Sequence, residues 1–196
     1  MDMSAGYASV VAQAMPQAEI CFDHFHVTMG VTRAVDEVRK DEQRSMGDKD
    51  ERSAFFRSRF LFLYNEENIP EHRLQRFEEL RRVAVKTSRA WAIKENLRDL
   101  WRCRSREEAE AFFRKWFWWA THSRLEPVRK AAYTIRRHWP GVLNAILSRV
   151  TNACTEGLNS KIEKIKRDAF GFRSRERLRT AILFHCGGLD LMPGGV

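Results

Sequence analysis

From Pro70 onward, the apolar residues recur at the three- and four-residue spacing of one helix face, and this constrains the fold more than any other feature. Several of these predicted helices begin with N-terminal signals, such as Ser105 and Glu108 in a capping box and prolines in first turns. The sequence therefore predicts a mainly α-helical protein. The predicted helices cover residues 70–83, 87–102, 105–121, 126–138, 141–149, 152–168 and 174–185.

Two short apolar runs stand out in the first third of the chain. Residues 18–22 lead directly into Asp23, and residues 58–64 end before Asn65. Short, mainly apolar runs of this kind are typical of buried strands in α/β proteins. With helices predicted at residues 4–15 and 27–45, we expect a helix–strand–helix–strand order and a small parallel β element.

Composition excludes several classes of protein. Hydrophobic residues make up 43% of the 196 residues, which is enough for a core and argues against wholesale disorder. No apolar run approaches the ~18 residues of a membrane-spanning helix, and no secretory signal is visible at the start. The four cysteines are scattered without a CxxC pair, which argues against a disulfide framework or a zinc site and favours the cytoplasm.

The formal net charge of the whole chain is +9, and the positive charge is concentrated in its last two thirds. Residues 1–64 hold 8 basic and 10 acidic side chains, residues 65–150 hold 19 and 11, and residues 151–196 hold 8 and 5. Clustered cations can neutralise phosphates, which favours a nucleic-acid partner. Solvated helix faces, with acidic neighbours three or four positions away, are the alternative.

An aromatic block over residues 112–119 is the most apolar segment. Phe112, Trp116 and Trp119 share one helix face by spacing. One interpretation is a stacking platform for bases, flanked by Arg114 and Lys115. We favour the other, the core of a helical bundle, because large aromatic residues at helical spacing need no ligand.

Two carboxylates are candidates for chemistry. Asp23 follows the first apolar run and is spaced three residues from His26, at a position where α/β proteins bind ligands and metals. The simpler alternative is that Asp23 caps the next helix. Glu156 opens a late helix and shares a polar face with Asn159. The helix dipole alone would favour an acid there, and a face for metal and phosphate is the other interpretation.

Four segments resemble signatures of one protein family. Residues 18–27, AEICFDHFHV, resemble the FDRFHV signature of bacterial insertion-sequence transposases of the ISL-three family. Residues 151–167 resemble its TN…EGLNSKI…KR signature, residues 169–173 its GYR/GFR, and residues 2–7 its DMSPAY segment. Their order and spacing agree over nearly the whole chain.

The resemblance implies an incomplete ribonuclease-H-like DDE domain with a large all-helical insertion. Asp23 and Glu156 match the second and third acids and would hold Mg²⁺, with Mn²⁺ as a substitute, for strand cleavage and transfer at phosphorus. His26 and Asn159 would lie beside these ligands. The DNA-binding residues would be Lys161, Lys164, Lys166, Arg167, Arg173 and Arg175.

The resemblance also implies an organisation and partners. Residues 1–64 would form a partial core, residues 65–150 the insertion, residues 151–186 the catalytic and C-terminal helices, and residues 187–196 a flexible tail. The partners would be terminal inverted repeats, target DNA and, at full length, a second copy in a homodimer; no membrane association is expected.

Because the first acid would precede Asp2, we expect a 5′-truncated transposase that is inactive alone. The alternatives are a non-catalytic helical DNA-binding module and an interaction protein whose exposed aromatic residues pair with a partner.

Overall fold

The computed structural model describes residues 5–149 and 153–187 and confirms the mainly helical character. Four short 3-10 helices lie between the longer ones, at Arg59–Phe62, Glu66–Asn68, Glu71–Arg73 and Arg98–Arg102. The α-helices are α1 (Ala5–Ala14), α2 (His24–Ser45), α3 (Lys49–Arg57), α4 (Leu74–Val83), α5 (Val85–Leu97), α6 (Arg106–His122), α7 (Glu126–Arg137), α8 (Trp139–Ser148), α9 (Ala153–Asp168) and α10 (Arg175–Cys186).

The two predicted strands are wrong, because residues 5–149 and 153–187 contain no β-strand. Residues 18–23 dock against α8 instead of pairing with a strand, and the Phe22 N–H donates a 3.0 Å hydrogen bond to the Gly141 carbonyl. The second run folds as the 3-10 helix Arg59–Phe62, with Leu61 and Phe62 fully buried. The predicted β element is therefore absent from the described residues.

The chain divides into two compact units, with the boundary between residues 150 and 151. In the first unit, α2 packs mainly against α5 and α7. Its buried stripe follows helical spacing, as the sequence predicts, and comprises Val27, Val31, Ala34, Val35 and Val38. In the second unit, α9 and α10 pack against each other.

The start of α5 is fixed by a carboxylate from α2. Glu42 Oε1 accepts a 3.0 Å hydrogen bond from the Lys86 N–H, and Oε2 accepts from the N–H and the hydroxyl of Thr87 at 2.7 and 2.6 Å. A negative charge satisfies unpaired N–H groups at a helix N-terminus and interacts favourably with the helix dipole. Glu42 thus joins the two central helices.

Two predictions about the organisation of the chain are not tested by the described residues. The predicted tail lies outside the described residues from residue 188 onward. The predicted division of residues 1–150 into a core and an insertion stays a prediction. No helix in the described part of the chain is both long and apolar enough to cross a membrane.

Candidate functional site

Asp23 occupies the position that normally caps a helix, but its side chain does not cap α2. Its Oδ2 instead lies 3.1 Å from His26 Nδ1, and the Asp23 side chain is only 8% exposed. Asp48 provides the contrast, because from the equivalent position before α3 it accepts 2.8 Å hydrogen bonds from the N–H groups of Asp50 and Glu51. Asp23 is therefore the N-cap residue of α2 by position, but without the side-chain hydrogen bond that the simple helix-cap interpretation predicts.

The segment before Asp23 is held in place by α8. Besides the bond from Phe22 to Gly141, the Asn144 side-chain amide donates to the Ile20 carbonyl at 3.2 Å. The buried Phe22 ring packs edge-on against His138, with 5.1 Å between the ring centroids. Two backbone anchors and one buried ring therefore fix the chain direction as it enters Asp23.

Gly141 is required where it stands, because a Cβ there would overlap the Phe22 ring. We expect Gly141→Ala to lower the free energy of unfolding by about 1–3 kcal/mol, as overpacking does, measured by urea denaturation. Gly30→Ala is the matched control, since nothing lies within 4 Å of a Cβ at that position of α2. It should stabilise the protein by about 0.5–1 kcal/mol through helix propensity. Equal stability of the two variants would contradict the packing of Phe22.

His24, the neighbour of Asp23, has a lowered pKa. Its ring lies edge-on to Trp101 at a centroid distance of 4.6 Å. Burial of the ring lowers the pKa of His24 below 6.5; the charge of Asp23 opposes this and that of Arg98 adds to it. The environment of His24 thus favours the neutral imidazole.

The described residues supply only part of a metal site. No three His, Cys, Asp or Glu side chains among them come together in a way that could hold a metal ion. Asp23 fits as one ligand, because hard cations prefer carboxylate oxygens and His26 engages only its Oδ2. Glu156 belongs to the first turn of α9, but its side chain lies outside the described part of the chain.

The predicted DNA-binding side chains are all exposed on the second unit, and so is Asn159. Among the described residues only one of these cations is paired, by a 2.8 Å contact between Lys166 Nζ and Glu163 Oε1. The exposure of these cations agrees with both the DNA-binding interpretation and the alternative of solvated helix faces. The described residues show no ion pair for the other five cations, which are Lys161, Lys164, Arg167, Arg173 and Arg175.

The aromatic block divides between core and surface. Trp116 is 1% exposed and Phe113 is also buried, so the bundle-core interpretation is confirmed for this face. Trp118 and Trp119 are exposed at 63% and 36%. Phe112 is partly buried and packs against the core, as its spacing predicts, whereas Trp119 is exposed. The buried stripe of α6 runs through Ala109, Phe113, Trp116 and Ala120.

Comparison with known proteins establishes the family. The family model of ISL-three DDE transposases, described as transposase, matches residues 1–182. The chain belongs to this transposase family. It is similar to the transposase for insertion sequence element IS1001 of Bordetella parapertussis, with 28% identity over 178 residues, 90% of this chain and 44% of that protein.

A second similar protein is also a transposase for an insertion sequence element. The transposase for insertion sequence element IS1557 of Mycobacterium tuberculosis is 26% identical over 216 aligned positions, covering 98% of this chain and 48% of that protein. The chain thus spans about half the length of the curated relatives it matches. No solved structure matches it.

Proposed function

We propose that this chain contributes two metal-binding carboxylates, Asp23 and Glu156, to the DNA strand cleavage and strand transfer of an ISL-three transposase. The observation that carries the proposal is the Asp23 carboxylate, which is buried, is held by His26 and is not used to cap α2. Burying a carboxylate is unfavourable unless it is compensated. Asp23 is compensated by His26 on Oδ2 only, so its second oxygen is available for a cation.

Each of these residues would have a distinct role in binding the metal ions. His26 orients Asp23 through Nδ1 and leaves Oδ1 for a cation, while Glu156 supplies an oxygen ligand from α9. Asn159 follows Glu156 by three residues and so shares its helix face. Two bound Mg²⁺ or Mn²⁺ ions would activate the attacking oxygen and stabilise the leaving one.

DNA would be bound through its phosphates by the exposed cations of α9 and the segment after it. Such contacts position the duplex without reading its sequence, so they suit both terminal inverted repeats and target DNA. The affinity should fall steeply as salt rises, because each neutralised phosphate releases counterions. A homodimer and the ribonuclease-H-like architecture stay predictions for the full-length transposase.

Manganese binding tests the role of Asp23. We expect the 196-residue chain to bind Mn²⁺ weakly, and Asp23→Asn to lower its affinity by about tenfold, because one charged ligand is lost. The free Mn²⁺ signal in electron paramagnetic resonance measures this. Asp48→Asn is the matched control, since asparagine also caps helices, and it should bind as the wild type does. Equal affinities of wild type and Asp23→Asn would exclude Asp23 as a ligand.

A non-catalytic DNA-binding module is the second candidate. It is favoured by the exposed cations of the second unit, of which only Lys166 has an ion-pair partner among the described side chains. Under this alternative, Asp23→Asn leaves Mn²⁺ affinity unchanged, and DNA affinity depends on the cations alone. The experiment above therefore separates the two candidates.

A further inference from the structure

We propose that a groove on the first unit binds unpaired bases of single-stranded DNA. The groove encloses about 690 Å³ between α6, α7 and the start of α8, a size typical of sites for small organic groups. We call it the aromatic groove. The residues that carry the argument are Phe113, Arg114, Phe117, Trp118, Arg136 and Trp139.

Trp118 presents a large, exposed and positioned stacking surface. Its side chain is 63% exposed, and one face of its indole stacks on His122 with 4.5 Å between centroids and 22° between planes. His122 is fixed in turn, because its Nδ1 lies 2.7 Å from the Trp118 carbonyl oxygen. A ring already held in place loses little conformational entropy when a base stacks on it.

The rest of the aromatic surface is rigid. Phe113 stacks on Trp139 with 4.0 Å between ring centroids and 13° between planes. Phe117 is fixed by an edge-on contact to Tyr133, at 5.4 Å. These packed rings form a rigid aromatic wall, beside which Trp118 is the mostly exposed ring on which a flat aromatic ligand could stack.

Charge identifies the occupant as a nucleic-acid strand. The Arg136 guanidinium lies over the Phe117 ring at 5.1 Å, and within the described ranges neither Arg136 nor Arg114 has an ion-pair partner. The acidic residue of the groove wall, Glu110, is paired with Arg106 at 3.5 Å. Aromatic surface beside unpaired guanidinium groups suits bases linked by phosphates. In a duplex the base faces are stacked on each other, so the strand must be unpaired.

This inference rests on the proposed function for the source of the strand, since strand cleavage creates terminal base pairs, which stack on one side only and open more easily than interior ones. The groove would hold such bases away from the duplex. It thereby adds a substrate-binding surface that is separate in sequence from both carboxylates and from the basic residues of α9.

The experiment uses the whole chain and three dye-labelled probes: a short single strand, the same strand with its bases removed, and a duplex of equal length. Fluorescence anisotropy gives each affinity. We expect Trp118→Ala to weaken binding of the base-bearing strand about tenfold, the effect of losing one stacked base, and to leave binding of the abasic strand unchanged. Arg136→Gln should weaken binding of both strands, because it removes a phosphate contact.

Trp119→Ala is the matched control, since Trp119 is exposed on the next position of α6 but does not line the groove. It should bind every probe as the wild type does. The proposal is overturned if Trp118→Ala binds the base-bearing strand normally, or if Trp119→Ala loses as much affinity.

The failure of this inference and the failure of the proposed function give different results. Normal single-strand binding by Trp118→Ala, with Mn²⁺ binding that depends on Asp23, rejects only the groove. A Trp118-dependent single-strand affinity, with Mn²⁺ binding indifferent to Asp23, rejects only the metal site.

Discussion

Trp116→Ala is expected to lower the free energy of unfolding by about 3–5 kcal/mol, as large-to-small changes of buried aromatic residues do. The indole is 1% exposed, and its Nε1–H donates a 2.9 Å hydrogen bond to the Ile93 carbonyl of α5. Alanine would leave a cavity between α5 and α6 and would remove the indole hydrogen bond to the Ile93 carbonyl. Urea denaturation followed by circular dichroism measures the loss.

Trp118→Ala is the control from the same helix. Because Trp118 is 63% exposed, we expect its removal to change the free energy of unfolding by no more than about 0.5 kcal/mol. Similar losses in the two variants would mean that α6 is not oriented as described. The pair also separates roles, since Trp116 should affect stability and Trp118 the binding of single-stranded DNA.

Lys94→Met is expected to lower the free energy of unfolding by about 3–5 kcal/mol, the cost of removing one partner from a buried ion pair. Lys94 is 1% exposed, and its Nζ donates to the Tyr64 carbonyl at 2.6 Å and contacts Glu95 Oε1 at 2.9 Å. Methionine would leave the Glu95 carboxylate and the Tyr64 carbonyl without this donor. Lys86→Met, an exposed change on the same helix, should stay within about 0.5 kcal/mol of wild type. Equal effects of the two lysines would contradict the buried pair.

The pair also gives stability a dependence on pH. Burial lowers the pKa of Lys94, against the attraction of Glu95. Burial raises the pKa of Glu95, but hydrogen bonds from Lys94 and from the Glu66 N–H outweigh it and lower the pKa below 4.5. Since the folded state binds this proton more weakly, the contribution of Glu95 is present at neutral pH and is lost as pH falls below about 4.5.

Local spacing was sufficient to predict much of the helical structure. The apolar stripe of α2 was readable because one face of a 3.6-residue period is buried along its whole length. The candidate pair of Asp23 and His26 was also readable, since residues three apart at a helix start can meet, and the structure brings them to 3.1 Å.

Long-range partners explain what the sequence could not predict. A short apolar run has the same pattern whether it joins a sheet or docks on a helix, and residues 18–22 dock because Gly141 leaves room for Phe22. Lys94 is buried because the backbone carbonyls of Leu63 and Tyr64 accept from it, which no pattern around Lys94 announces. The aromatic groove could not be predicted from local spacing either, because the packing of α7 and α8 determines which face of α6 is covered.

The proposal that Asp23 and Glu156 each bind metal is tested most directly by the Mn²⁺ affinities of their single and double variants. Isothermal titration calorimetry would compare wild type, Asp23→Asn, Glu156→Gln and the double variant. If both carboxylates are metal ligands, each single variant binds Mn²⁺ more weakly than the wild type, and the double variant binds it no more tightly than either single variant. A wild-type Mn²⁺ affinity in either single variant would contradict the proposal.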